Sequence, residues 1–296
     1  MASSNSTLSM NRIVLFALYI IAITILVYYI YDGYDYYITP FMERPHHPDH
    51  QNLKPGGIRG HGLGIIGTIM MLTILVYSMR KRNIIFSGIG QLGSWLDLHI
   101  FMGIMGPLFV ILHTSLKLNG IVAISFWSMI LVSLSGFLGR YLYLQIPRNI
   151  SGHEIDLQEL ESTNENILKE IEGKYDIERS FISEMETLIV GKLYPDKSEF
   201  ATFFSFLKAD IFRLFRIRNI RKILRRSKGL SKKQIGILLG MMKKKAFLHR
   251  RLILWNNIHR LFHYWHVFHR PFALIMYLIM VIHVVLTVIL GYTWIF

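Results

Sequence analysis

Four histidines in two matched pairs open the chemistry of this chain. His99 and His113 stand fourteen residues apart, and His269 and His283 repeat the interval. On an α-helix fourteen residues rise about 21 Å and drift only about 40° around the axis, so each pair lies on one face. Neutral imidazole suits iron, and two rings facing each other at one level can fill both axial positions of a haem. If the two segments run side by side in one direction, His99 meets His269 at one level and His113 meets His283 a bilayer leaflet away. The pattern therefore expects two haems, with His99, His113, His269 and His283 as the iron ligands.

The remaining sequence must supply helices that hold those rings. Of 296 residues, 52% are hydrophobic, and the formal net charge is +14. The apolar residues fall in uninterrupted runs at 13–31, 60–79, 95–116, 121–144 and 271–296. A bilayer crossing takes about 20 residues, so each run can span it, and a soluble fold is excluded. In hydrocarbon each run can satisfy its backbone only as a helix. The first is too long for a removable signal peptide and lacks a small-residue cleavage site, so it reads as a retained anchor. The expected fold is all-α: an integral membrane helical bundle of five transmembrane helices with a helical cytoplasmic insert. Residues 1–144 carry four spans, 145–266 the insert, and 267–296 the fifth span that completes the bundle. The absence of cysteine excludes thiolate-held iron–sulfur clusters, CxxCH-attached haem, Cys-ligated zinc and disulfides.

Loop charges set the direction of the spans. Arg80, Lys81 and Arg82, and the long segment after the fourth span, are strongly basic. The 32–59 loop instead sets Asp32, Asp35, Glu43 and Asp49 against Arg44, Lys54 and Arg59. An excess of Lys and Arg marks the cytoplasmic side, which puts the N-terminus inside and the 32–59 loop and C-terminus outside. The third and fifth spans then run in the same direction, which sets His99 level with His269 and His113 level with His283. A bacterial inner (cytoplasmic) membrane is the expected location.

Other residues fall into place around the four. Pro107 could kink the third span between its histidines, and Gly103, Gly106, Gly136 and Gly139 offer small surfaces against which a macrocycle could lie. His61, at the outer end of the second span, could meet a propionate, accept a proton from a quinol or act as a ligand. Arg59 outside, and Arg140, Arg148 and Arg270 inside, could pair with propionates, since guanidinium grips carboxylate in two-pronged fashion; snorkelling to headgroups is the alternative. Tyr292 and Trp294 read as an interfacial belt. His259, His263, His266 and His269 follow at intervals of four, three and three, a ladder that could instead hold non-haem metal, with His266 as a rival to His269. His46, His47 and His50 could bind zinc or simply line a solvated loop. A cofactor-free transport or structural protein is the third reading.

The two fourteen-residue histidine intervals on parallel helices of a small bundle resemble the di-haem b-type membrane cytochromes. That group includes cytochrome b of quinol-oxidising complexes and the ferric-reductase-like transmembrane proteins. The stretch Trp265-His266-Val267-Phe268-His269-Arg270-Pro271, followed by His283, is similar to a WHxxHxP segment of bacterial members. The resemblance covers the second to fifth spans and not the insert. It implies two non-covalently held haems b, electron transfer across or along the membrane between the quinone pool and a partner redox protein, and other redox subunits in a membrane complex. Any catalysis would then belong to an oxidoreductase of which this chain is the electron-transfer subunit. The flavin and nicotinamide domain of ferric reductases is not visible. The GxGxxG at Gly62, Gly64 and Gly67 opens a membrane span rather than following a strand, so it reads as close helix packing or room for a haem face.

The insert divides by charge. Its first half mixes acids with Leu157, Leu160, Ile167 and Ile171 at helical spacing. From Lys208 to Arg251 sixteen Lys and Arg face one acid, Asp210, with Phe203, Phe204, Phe206, Phe212 and Phe215 interleaved. Such a surface suits anionic lipid headgroups of the bilayer or an acidic partner. No recognition motif points to nucleic acid.

Overall fold

The computed structural model describes residues 2–86, 88–146, 156–175, 177–191, 198–227 and 231–291. In chain order the helices are α1 (Ala2–Asp32), α2 (Tyr34–Ile38), α3 (His50–Leu53), α4 (Ile58–Lys81), α5 (Leu92–His113), α6 (Ile121–Gln145), α7 (Leu157–Tyr175), α8 (Arg179–Val190), α9 (Glu199–Ile211), α10 (Arg213–Ser227), α11 (Lys232–Ile253) and α12 (Trp255–Ile289). The fold is all-α among the described residues, and five helices are long and apolar enough to cross a membrane. Two compact units form: residues 1–138 with 267–296, and residues 139–266.

Two of the spans carry an internal proline. Pro107 lies inside α5 and Pro271 inside α12, where each lacks an N–H for the carbonyl four residues back. A helix in lipid survives this because neighbours re-satisfy the freed group. Pro271 therefore does not start the last span: α12 begins sixteen residues earlier, at Trp255. Its 35 residues reach about 52 Å, more than the roughly 30 Å hydrocarbon core requires.

In the first unit α4 and α5 pack backbone to backbone. A Cβ on Gly67 would come within 2.7 Å of a Val110 methyl and 3.1 Å of the Gly106 carbonyl, and one on Gly106 would press on Met70 and Met71. Only glycine permits this approach. Ala22 and Leu26 of α1 cover Leu63, Phe101 and Met105. On the other side Met276 of α12 packs with Met71, Phe126 and Met129. The Tyr277 hydroxyl donates to the Met71 carbonyl at 2.6 Å, and the Ser125 hydroxyl to the Met276 carbonyl at 3.0 Å.

The corner after α5 is tied from outside the bundle. Arg44, only 6% exposed, donates to the carbonyls of Ser115 (2.5 Å), Tyr37 (2.6 Å) and Thr39 (2.8 Å). The Ser115 hydroxyl donates to the Leu53 carbonyl at 2.6 Å. Ser115 and Leu116 adopt φ of +48° and +62°, a left-handed backbone that non-glycine residues hold only when the surroundings impose it. A loop arginine read from the sequence as one charge among several is thus a buried clamp.

The second unit has a core of its own. Leu160, Ile167 and Ile171 of α7 meet Ile182, Met185 and Ile189 of α8, Ile220 and Leu224 of α10, and Leu238 and Met242 of α11. Leu157, expected on that stripe, is exposed. Ser231 and Gln234 exchange side-chain and backbone hydrogen bonds to start α11. Two acids serve this core. Glu186 takes the buried Lys245 ammonium at 2.6 Å. Asp210 accepts from Arg250 at 2.7 and 3.1 Å and from the Tyr141 hydroxyl at 2.7 Å. Burial pushes the Asp210 carboxyl up, but the bonds and charge of Arg250, helped by Tyr141, outweigh it and hold the group below its ordinary value.

Replacing Asp210 with Asn should therefore strand the Arg250 charge and destabilise this unit by about 3 kcal/mol, measured as faster proteolysis of residues 139–266 in the detergent-solubilised chain. In the unsubstituted protein this contribution is complete above about pH 4 and fades as the pH falls through the lowered folded-state pKa, so the protease resistance of the two proteins should converge in acid.

Candidate functional site

Direction comes first, because it decides which histidines stand at the same level: parallel helices set His99 level with His269 and His113 with His283. Along α4, the partners from α5 fall in reverse order: Gly60 with His113, Gly67 with Val110 and Gly106, Ile74 with His99. α5 is antiparallel to α4. The partners from α12 also reverse, with Met71 touching Tyr277 and His61 near His283. α12 is therefore antiparallel to α4 as well, and α5 and α12 run in the same direction.

At one end of that pair three histidines gather. His61, His113 and His283 lie close enough for their charges to interact, each with both others. His113 is the last residue of α5, next to the corner that Arg44 clamps. Its Nδ1 donates to the Gly60 carbonyl at 2.8 Å. A carbonyl can only accept, so the proton sits on Nδ1 and the Nε2 lone pair is left available. The ring rests on Gly64, where a Cβ would come within 2.7 Å of Nδ1. Gly64 of the GxGxxG stretch thus makes room for an imidazole, and Gly67 for helix packing.

At the other end of the fourteen-residue interval the anchors differ. His99 donates from Nδ1 to the Ile74 carbonyl of α4 at 3.4 Å, with the Tyr77 ring 5.0 Å away. His269 bonds across to α6: its Nδ1 is 2.7 Å from the Ser135 hydroxyl oxygen, which also stands 2.8 Å from the Val132 carbonyl. Ser135 can accept from the ring there, or turn its single proton to His269 Nδ1 instead. His99 and His113 share one tautomer, the one metal-bound histidines adopt when a neighbouring acceptor takes the other N–H. The spacing of histidines gave no hint of Ser135 or of the Gly60 carbonyl; a hydroxyl beside Gly136 inside an apolar span is the only trace of the former.

The glycines divide in use. Gly136 faces open space, Gly103 is in ordinary contact with Ile74, and Gly106 is filled by the methionines of α4. Gly139, expected to make room for a macrocycle, instead receives the Trp265 indole, which also stacks on Phe262 at 5.2 Å. The arginines divide too. Arg59 is ion-paired with Asp32 at the mouth of α4, Arg140 lies over Tyr143 at 5.9 Å, and Arg270 is exposed. Arg148, Tyr292 and Trp294 lie outside the described residues.

The ladder of histidines does not converge. His259 and His266 give their Nδ1 protons to the carbonyls one turn back, Trp255 at 2.8 Å and Phe262 at 2.9 Å. His47 and His50 pack around the Tyr36 ring at 5.5 and 5.9 Å. Among the described residues no group of three or more His, Asp or Glu is arranged to hold a metal ion.

No protein-family model, no curated protein and no solved structure matches this chain.

The seat of His113 is testable without any cofactor. Gly64→Ala should displace the ring and lower stability in detergent by about 1–3 kcal/mol, while Gly136→Ala, in open space, should change little. Adding His113→Ala should relieve part of the Gly64→Ala loss, a non-additivity read from thermal unfolding of the four members of the cycle.

Proposed function

We propose that this chain is a membrane b-type cytochrome. It holds two haems b between α5 and α12 and passes electrons between the quinone pool and a partner redox protein. Its place is a bacterial cytoplasmic membrane, with the N-terminus inside and the C-terminus outside, among other redox subunits of a membrane complex. The observation that supports this best is that His113 and His283 stand near the same end of two parallel helices, with the His113 Nδ1 proton already engaged and its Nε2 lone pair available.

Haem, when bound, supplies the one-electron chemistry; the polypeptide does the rest. His113 and His283 offer imidazoles from two helices at one end, and His99 and His269 at the other. Gly60 fixes the orientation of the His113 ring and strengthens it as a donor by taking its second N–H, and Ser135 holds the His269 ring from α6. His61, beside the outer pair, is placed to accept a proton from a quinol or to bond a propionate. Arg270, exposed on α12, could meet a propionate on the inner side. The apolar spans exclude water, so the positions of these groups set the local field.

A non-haem metal site on the His259–His269 ladder draws no support from this geometry, since among the described residues no three of its rings are arranged to hold a metal ion. Purified protein expressed with ample haem should contain two haems b per chain by pyridine haemochrome, with a low-spin b-type difference spectrum. His113→Ala and His283→Ala should each reduce the content to about one, and His259→Ala should leave two. A protein without a Soret band, or one that keeps both haems in either variant, would overturn the reading.

A further inference from the structure

The basic half of the second unit contains two populations of arginine. Arg216 gives its guanidinium to the carbonyls of Ile189, Val190 and Ala209, closing the end of α8. Arg250 is held by Asp210, and Arg213 sits between Asp210 and the Phe247 ring. These three are structural. Arg218, Arg221, Lys222 and Arg225 of α10 are exposed, while Ile217, Ile220 and Leu224 bury the opposite side of the helix in the core. Leu214, Arg218, Arg221 and Arg225 follow at intervals of four, three and four, one continuous stripe.

Large apolar side chains stand at the head of that stripe. Phe204, Ile211, Phe212, Leu214 and Phe215 are each between 53% and 67% exposed. Phe204 and Ile211 lie seven residues apart on one face of α9, Phe212 is its C-cap, and Leu214 and Phe215 fall in the first turn of α10, where the basic stripe begins. Leu214 and Phe215 point out of a unit that buries Leu224 and Ile220 of the same helix completely. Bulky aromatics beside a row of guanidinium groups match a helix lying in the headgroup region, apolar side chains among the upper acyl chains and cations among phosphates. An acidic protein would answer the charges but leave the patch unexplained. A bilayer is moreover always present, because this unit is joined on both sides to membrane-crossing helices.

We infer that the α9–α10 corner is an anionic-lipid binding surface, with Phe204, Ile211, Phe212, Leu214 and Phe215 entering the interface and Arg218, Arg221, Lys222 and Arg225 binding phosphate headgroups. The inference stands whether or not the chain holds haem. Each basic residue close to an anionic surface strengthens association about fivefold, and salt weakens it. The surface thus makes the position of this unit responsive to lipid charge.

The chain has no cysteine, so one introduced thiol reports one place. Full-length protein carrying Phe215→Cys with an environment-sensitive fluorophore is placed in nanodiscs of phosphatidylcholine, alone or with about one-third phosphatidylglycerol, some of the lipid bearing brominated chains. Emission should shift to the blue and be quenched severalfold more strongly in the anionic discs. A label at Glu161→Cys, exposed on α7, should stay in water in both. High salt, or Arg218→Glu with Arg221→Glu and Arg225→Glu, should return the Phe215 site to its behaviour in neutral lipid. Equal quenching in both lipids, or a label in water in both, overturns the proposal. So does a label in water with lipid alone that becomes shielded when an acidic protein is added, which would mark a protein-docking face instead.

Discussion

Where α4 and α5 cross, side chains are missing on both sides, and much of the first unit follows from that gap. Apolar helices in lipid gain little from hiding from water, because lipid tails are as apolar as leucine. Their association rests on close packing and on hydrogen bonds between helices. Gly67 and Gly106 let the backbones approach, and Gly64 leaves the volume that the His113 ring fills. The approach is what brings the Gly60 carbonyl to within 2.8 Å of His113 Nδ1. Move the helices apart by the width of one methyl group and the ring loses its seat, its partner and its tautomer together.

The same crossing explains why so much of the outer loop is spent on one corner. His113 closes α5, and the chain reverses directly after it through two left-handed residues. Arg44 and Leu53 hold that reversal by bonds to and from Ser115. A histidine at a helix terminus would otherwise fray with the last turn. Here the terminus is pinned from the loop side and the ring from the α4 side.

Charge is handled in the opposite way in the second unit. Two acids, Glu186 and Asp210, are each committed to a buried or half-buried cation. A buried pair of this kind contributes little net stability, because desolvation offsets attraction, yet losing one partner is severe. With Asp210 occupied by Arg250, the remaining cations of α10 have no acid in their own stretch of sequence to neutralise them. The basic face is therefore presented outward, together with the aromatic residues that the core did not take.

The membrane spans, the all-α class and the shared direction of α5 and α12 were legible from the sequence. Each depends on quantities summed locally, such as twenty apolar residues in a row or the sign of charge in a loop. The fourteen-residue intervals were legible for the same reason: helical phase is a property of one segment. What each ring touches was not. The bonds from His113 to Gly60, His269 to Ser135 and Arg44 to Ser115 join residues 53, 134 and 71 positions apart, and no local pattern encodes such a separation. Gly139 looked like open space until Trp265 filled it, and Pro271 looked like a helix start until α12 ran through it. Periodicity determines which residues can share a face; only the packing of one helix on another decides which of those faces is occupied, and by what.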